Sequence, residues 1–506
     1  MPSFGPRVWL LAGAALAATL GAGPAWAPAQ AEDLRSALIA AYNTNPTLQG
    51  ARASQRATDE DVAIQKAPGR PSITGQATHT EFVKQSGNNF TAPDRNLNAQ
   101  LSLSVPLYSG GSVRNGVKAA ETRVEAGQAD LRGTESSVFS QVVGAYMDVI
   151  LNEAVVGLNR NNVQVLEVNL QATSDRFEIG DLTRTDVAQS QSRLALARGD
   201  ARTAEANLVE ARERYIRLVG QVPGMLEAPP PLPGLPASPE DAVTIAIDNN
   251  PDLAAAHERR KAAGYDVKVA GAGRLPTLSA FSQGTYNDYY GTLGGSLGST
   301  QTFTQSETTA QVGLRASIPI FQGGRPAAQR RQAQAREGAA MEQEIEVERG
   351  VIAQVRSAYS SWQASNEIIT STQSAVDAAG LSLEGVRAEN SVGNRTIIDI
   401  LDAEQELLRA RVQLVTARRN AYVAGFSLLA AMGQAEAQDL GLDGGPLYDP
   451  DVNYKRVRGK WFDWDDDAAP KPQSTRTVDT PPQDGEIRGS EATTIQSTNT
   501  NAPGGK

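Results

Sequence analysis

Asp399 and Asp402 form the sharpest chemical spacing in this sequence: three residues apart on a helix, they share one face, and crowded carboxylates hold cations. Taken alone, they read as a solvated helix face. Few other groups could do chemistry. The absence of cysteine excludes disulfides, thiolate zinc sites, iron–sulfur clusters, cysteine nucleophiles and lipidation at an N-terminal cysteine. Only two histidines, His79 and His257, are present, and without a partner cluster they read as surface residues. No glycine-rich phosphate loop follows a strand, and no nucleophile–base pair can be justified. The expectation is a chain that is not an enzyme, with no cofactor and no metal.

The composition agrees. The 506 residues are 40% hydrophobic, 5% aromatic and 21% charged, with a formal charge of −10. Arg7 is the single charged residue of 1–31, so the rest carries −11, which argues against a nucleic-acid partner. Residues 1–31 read as an export signal: Arg7, an apolar run Val8 to Leu20, then small-residue sites at Ala25-Trp26-Ala27 and Ala29-Gln30-Ala31. The alternative, a retained anchor, falls short of the ~20 apolar residues a spanning helix needs. No later stretch reaches that length without charge, which leaves a soluble exported protein or a β-barrel.

An internal duplication organises the remainder. Asn45-Pro46 and Pro71 recur as Asn250-Pro251 and Pro276, at a shift of 205. Pro106-Leu-Tyr-Ser-Gly110-Gly111 recurs as Pro319-Ile-Phe-Gln-Gly323-Gly324 at a shift of 213, as do Gly180 and Gly393, Asp186 and Asp399, and Gly220-Gln221 and Gly433-Gln434. The organisation read from this is 32–228 as first repeat, 229–239 as proline-rich linker and 240–435 as second repeat. Beyond them, 436–467 is a segment wrapping the helical midsection, where Trp461, Phe462 and Trp464 need burial or a partner, and 468–506 is a disordered tail.

Two periods run through each repeat. Helical spacing covers about Asp33 to Ala67 and returns from about Ser112 to Glu178, ~100 Å of helix at ~1.5 Å per residue. A helix that long needs a coiled-coil neighbour, and the seam Val138, Val142, Ala145, Val149 returns as Val351, Val355, Ala358, Trp362. Alanine-rich seams follow, from Ala197 to Leu218 and from Ala410 to Ala431. Strand spacing appears where Leu97, Ala99, Leu101, Leu103 and Val105 alternate with polar residues, and again at Ala310, Val312, Leu314, Ala316 and Ile318. Their partners lie near Ile73 to Phe82 and Leu278 to Tyr286, around loops Val83 to Arg95 and Asn287 to Ser306. Four strands cannot close a membrane barrel, which needs at least about eight, so an apolar outer face requires several chains to share one. Three chains give twelve strands. A soluble β-sandwich edge packed on helices is the alternative.

Arg176-Phe-Glu-Ile-Gly180-Asp-Leu-Thr-Arg-Thr185-Asp186-Val187 and Ser391-Val-Gly393-Asn-Arg395-Thr396-Ile-Ile-Asp399-Ile-Leu-Asp402-Ala403 carry a resemblance. With the repeat, the hairpins and the long broken helices, they make the chain from Glu32 to Gln434 resemble the TolC family of outer-membrane efflux and secretion channels. The resemblance implies an α+β membrane protein: a homotrimer whose 12-stranded barrel, four strands per chain, continues into a helical periplasmic tunnel. It implies a closed tunnel mouth, opened by a periplasmic adaptor and an inner-membrane efflux pump or ABC transporter. By position, Thr185, Asp186 and Arg395 match the constrictive network, and Asn390 stands where well-known members carry tyrosine. Gly180 and Gly393 match the helix tips that receive the adaptor, and threefold symmetry would gather Asp399 and Asp402 into two carboxylate triads. The expected function is an exit duct for drug efflux, type I protein secretion or both, with no energy source of its own. The rival is a periplasmic or surface coiled-coil structural protein; an exported adaptor is disfavoured by the doubled hairpin.

Overall fold

The computed structural model describes residues 31–85, 93–294, 303–442 and 447–488. The expected export signal, apart from Ala31, the central parts of both hairpin loops and residues 489–506 of the tail lie outside them. The first half of the chain runs α1 (Leu34–Thr44), α2 (Pro46–Lys66), β2 (Ser72–Glu81), β3 (Arg95–Tyr108), α3 (Ser112–Glu178) and α4 (Arg184–Val219). The second repeats it as α5 (Pro239–Asn249), α6 (Pro251–Ala272), β5 (Thr277–Asp288), β6 (Ser306–Ser317), α7 (Arg325–Ser391) and α8 (Ile397–Ala431). A short parallel pair, β1 (Ala31–Glu32) with β4 (Met225–Leu226), ties the start of the described chain to the end of its first half, and α9 (Pro450–Val457) follows the second.

The single helical stretch expected over 33–67 is two helices, because Asn45-Pro46 breaks it. Asn45 Oδ1 caps α2 by accepting from the amides of Thr47 and Leu48 at 2.9 and 3.3 Å. Its Nδ2 donates to the carbonyl of Leu218, in the last turn of α4, at 2.9 Å. Asn250 repeats this at α6, donating to Ala431 of α8 at 2.9 Å. One buried side chain per repeat thus satisfies the orphan amides of one helix and an orphan carbonyl of another. The consequence is a stack, α2 on α4 and α6 on α8. Gly433 closes the second joint at φ +75°, where a Cβ would lie 2.5 Å from the carbonyl oxygen of Asn249.

At 67 residues each, α3 and α7 run ~100 Å. The expected seams lie where these helices meet their partners: Val138, Val142, Ala145 and Val149 of α3 are buried, as are Ala197, Ala201, Ala204, Leu208, Ala211, Tyr215 and Leu218 of α4. One window of α3 is apolar enough to cross a membrane by composition, but over half of it is buried inside the helical body. The principal core, around Phe139, Tyr146, Leu208, Tyr215, Phe426 and Met432, sits at mid-length. The two repeats differ in burial: α3 buries 23 residues, whereas α7 buries only Val351, Val355 and Leu383.

The four long strands form one antiparallel sheet in the order β2-β3-β5-β6, leaving β2 and β6 as edges. Directly paired residues share a face. Leu101 pairs with Gly75 and Gly284, Leu103 with Ile73 and Ser282, and Val312 with Ser282, so one face carries the expected apolar positions. The other carries Thr74, Gln76, Gln100, Ser102, Gln283 and Gln311. At its lower end each hairpin turns into a long helix through paired glycines at positive φ, Gly110-Gly111 and Gly323-Gly324.

Two expectations for the C-terminal region need correction. Leu440 and Leu442 do pack at the middle, but α9 then climbs along α2, and Trp461, Phe462 and Trp464 are exposed rather than covered. Residues 468–488 are not disordered. The buried Arg212 of α4 donates to the carbonyls of Asp484 and Glu486 at 2.8 and 2.6 Å, and Ile487 packs on the core. A polar composition lacks the apolar area to fold alone, but here the helices supply the partners.

Candidate functional site

The candidate residues gather at the two helix tips farthest from the sheet, α3–α4 and α7–α8. Both tips are built alike. Gly180 takes φ +85°, with its N–H bonded to Phe177 O and that of Asp181 to Arg176 O, both at 2.9 Å. Gly393 takes φ +81°, with Asn394 N bonded to Glu389 O at 2.9 Å. This is the paired closure of a helix ending in a left-handed residue, which favours glycine. The next helix then starts at a capping box. Thr183 Oγ1 receives the amide of Asp186 at 3.3 Å while the Asp186 carboxylate accepts from Thr183 N at 2.9 Å; Thr396 and Asp399 do the same at 3.4 and 2.9 Å. Thr183 and Thr396 thus join the expected site residues, and the Thr-x-x-Asp spacing announces them.

Within the second tip, three expected residues come together. Asn390 Nδ2 donates to the carbonyl of Arg395 at 2.7 Å, so this asparagine braces its own turn. Arg395 Nε donates to Glu389 at 2.7 Å, and its guanidinium stands 4.0 Å from Asp399. Asp402 lies one turn along and reaches elsewhere: Arg193 of α4 donates to it at 2.5 Å. Arg193 and Glu389 are thus partners that sequence reasoning missed. Thr185 and Asp186 remain on the other tip, away from Arg395, and Thr185 is exposed. Behind the tips, Glu404 is buried and held by Arg387 at 2.9 Å and Asn169 at 3.0 Å, which joins α3, α7 and α8. His257, read as a surface residue without a partner cluster, stands 2.7 Å from Glu344 across α6 and α7.

Hydrogen bonds from Thr183 and Thr396 hold the carboxyls of Asp186 and Asp399 below the ordinary aspartate range. The fold therefore favours their charged forms. Their contribution to the tips is complete above the unfolded value near ~4 and is lost as pH falls through the lower folded values. Protection of the Thr183 and Thr396 amides, which donate to these carboxylates, is accordingly expected to be flat from neutral pH down to about 5, then to fall below ~4. Hydrogen exchange corrected for intrinsic rates measures this, and full protection at pH 2 would contradict it.

The comparisons with known proteins point one way. The family model described as outer membrane efflux protein matches residues 38–221 and 242–434, one match per repeat. The outer membrane efflux protein BepC of Brucella suis is 33% identical over 434 residues, 86% of this chain and 92% of the relative. The outer membrane protein TolC of Escherichia coli is 28% identical, over 81% and 84%. Among solved structures, the CmeC outer membrane channel of Campylobacter jejuni aligns with a TM-score of 0.69 at 17% identity, covering 84% of this chain and 89% of that one. The sheet and long helices are those of an outer-membrane channel, and the chain belongs to the outer membrane efflux protein family.

Proposed function

We propose that three copies of this chain form one exit duct, a shared 12-stranded barrel continued by a helical tunnel whose mouth is closed by the α3–α4 and α7–α8 tips. The observation that carries it is the four-stranded sheet with two open edges and an apolar face, on strands of 10 to 14 residues. Such lengths span a bilayer, and only closure removes the edges. The bare flank of α7 supports the same reading: it exposes Met341, Ile345, Ile368 and Leu381, which a neighbouring copy would cover.

In this reading Thr185, Asp186, Asn390 and Arg395 hold the mouth shut, and Asp399 and Asp402 ring the axis and select cations. Arg193 offsets part of the charge of Asp402 while the mouth is closed. Gly180 and Gly393 shape the tips against which a periplasmic adaptor docks, and an inner-membrane efflux pump or ABC transporter supplies the energy. Drugs, other toxic solutes or secreted polypeptides would leave by this route.

Planar-bilayer conductance of the detergent-purified chain from Glu32 to Lys506, with the oligomer mass measured in parallel, tests it. A trimer of small, cation-selective conductance is expected, and Asp186→Ala or Arg395→Ala should raise that conductance several-fold. Thr183→Ala separates two causes, since it breaks the cap but keeps the charge of Asp186. It leaves a latch between chains closed and opens a tip that merely frays. Unchanged conductance in both Asp186→Ala and Arg395→Ala would remove the latch, and a detergent-independent monomer without conductance would favour the coiled-coil structural protein.

A further inference from the structure

Trp461, Phe462 and Trp464 are 59%, 72% and 93% exposed, an unusual display for three large apolar side chains within four residues. Their height on the molecule is set by a ladder of bonds along α2. Asn453 donates to Asp59 at 2.7 Å, Lys66 donates to the carbonyl of Arg458 at 3.3 Å, and Arg70 donates to the carbonyl of Lys460 at 2.6 Å. Barrel strand β2 begins at Ser72, so the aromatic loop stands where helix gives way to strand. Two other strand–helix junctions at this end of the sheet also expose apolar residues: Leu107 and Tyr108 at the end of β3, and Ile320 and Phe321 after β6.

We propose that residues 461–464 are an interfacial anchor, inserting their aromatic rings into the phospholipid leaflet that faces the periplasm. Tryptophan suits this zone because its ring is apolar while its N–H reaches polar headgroups. The loop is shaped to present the rings. Arg456 forks onto Asp467 at 2.7 and 2.8 Å, and Lys460 bonds Asp465 at 3.1 Å. Over 455–467, four cations (Lys455, Arg456, Arg458, Lys460) meet four anions (Asp463, Asp465, Asp466, Asp467), so 4 − 4 gives no net charge. A neutral loop led by aromatics fits insertion among lipids of any headgroup charge, rather than capture of an anionic lipid. The anchor would brace the helical body against the membrane outside the barrel wall, and it rests on the outer-membrane reading above.

The chain from Glu32 to Lys506 holds three tryptophans, Trp362, Trp461 and Trp464, which makes the test direct. The protein is reconstituted into phosphatidylethanolamine–phosphatidylglycerol vesicles with and without a phosphatidylcholine brominated near the headgroup end of its chains, and conductance confirms insertion. Roughly a twofold loss of emission is expected from the unsubstituted chain, with two of its three tryptophans in lipid, and almost none from W461F/W464F. Equal, weak quenching of both proteins would overturn the anchor. So would quenching by aqueous iodide, or blue-shifted emission insensitive to bromine, which would place a second copy of the chain over the loop. Vesicles that neither bind the protein nor conduct would instead refute the outer-membrane reading, and the anchor with it.

Discussion

Val312→Arg is expected to abolish the assembled barrel, while Gln311→Arg, one residue away, leaves it standing. Val312 lies near the middle of the edge strand β6, opposite Ser282, and its side chain is 81% exposed in the single chain. On a lipid-facing surface an arginine near the bilayer midplane costs ~2–4 kcal/mol, or about 6–12 kcal/mol over three copies, comparable to the whole stability of many proteins. Gln311 points to the opposite face, opposite Gln283 among the polar residues that would line the lumen, where charge meets water. The measurement is the amount of heat-modifiable, detergent-resistant trimer recovered from the outer membrane. Equal recovery of the two variants would mean that the apolar face does not meet lipid. A soluble sheet packed on helices predicts the reverse of neither variant; it predicts no dependence on membrane insertion at all.

Much of this architecture is legible because it is periodic or local. The alternation from Leu97 to Val105 reads directly as a strand with one apolar face, and the break at Gly180 follows from a residue type that accepts positive φ. The repeat doubles every such signal. What stays hidden depends on contacts between distant segments. Asp402 and Asp399 look equivalent on a helix face, yet Asp402 finds Arg193, 209 residues away, while Asp399 serves the cap of its own helix. No spacing announces the first arrangement. The Thr-x-x-Asp box is legible because both partners of each cap lie within one turn, Thr183 with Asp186 and Thr396 with Asp399. Seam positions Ala358 and Trp362 keep the heptad phase but remain only partly buried, because helical period fixes which face is apolar and not which partner covers it. The tail shows the same limit. Residues 468–488 are polar enough to read as disordered, and their order depends on a charge on α4 that sits next to the seam residue Ala211 and offers no periodic signal.

That charge supports the second large effect. Arg212 is fully buried, and donates to Glu153 of α3 at 2.5 Å as well as to the carbonyls of Asp484 and Glu486. Its Nε finds no partner, so the guanidinium already carries part of its desolvation cost. Arg212→Met would leave the Glu153 carboxylate, 5% exposed, with only the amide of Arg488 at 3.3 Å. Removing one partner of a buried pair typically costs ~3–5 kcal/mol, whereas replacing both with apolar groups of similar size is often neutral. Arg212→Met should therefore lower the temperature at which the assembly dissociates, and Glu153→Met added to it should recover most of the loss. Tail release behaves differently, because Arg212 donates to two tail carbonyls that a methionine cannot serve, which leaves Arg160 of α3, bonded to Gly485 O at 3.2 Å, and the packing of Ile487 to hold the segment. Tryptic cleavage after Arg476 is expected to speed up in Arg212→Met and to remain fast in the double variant. A double variant that restores both stability and tail protection would show that the tail is held by the helix pair as a whole; restored stability with a tail still open assigns the latch to Arg212.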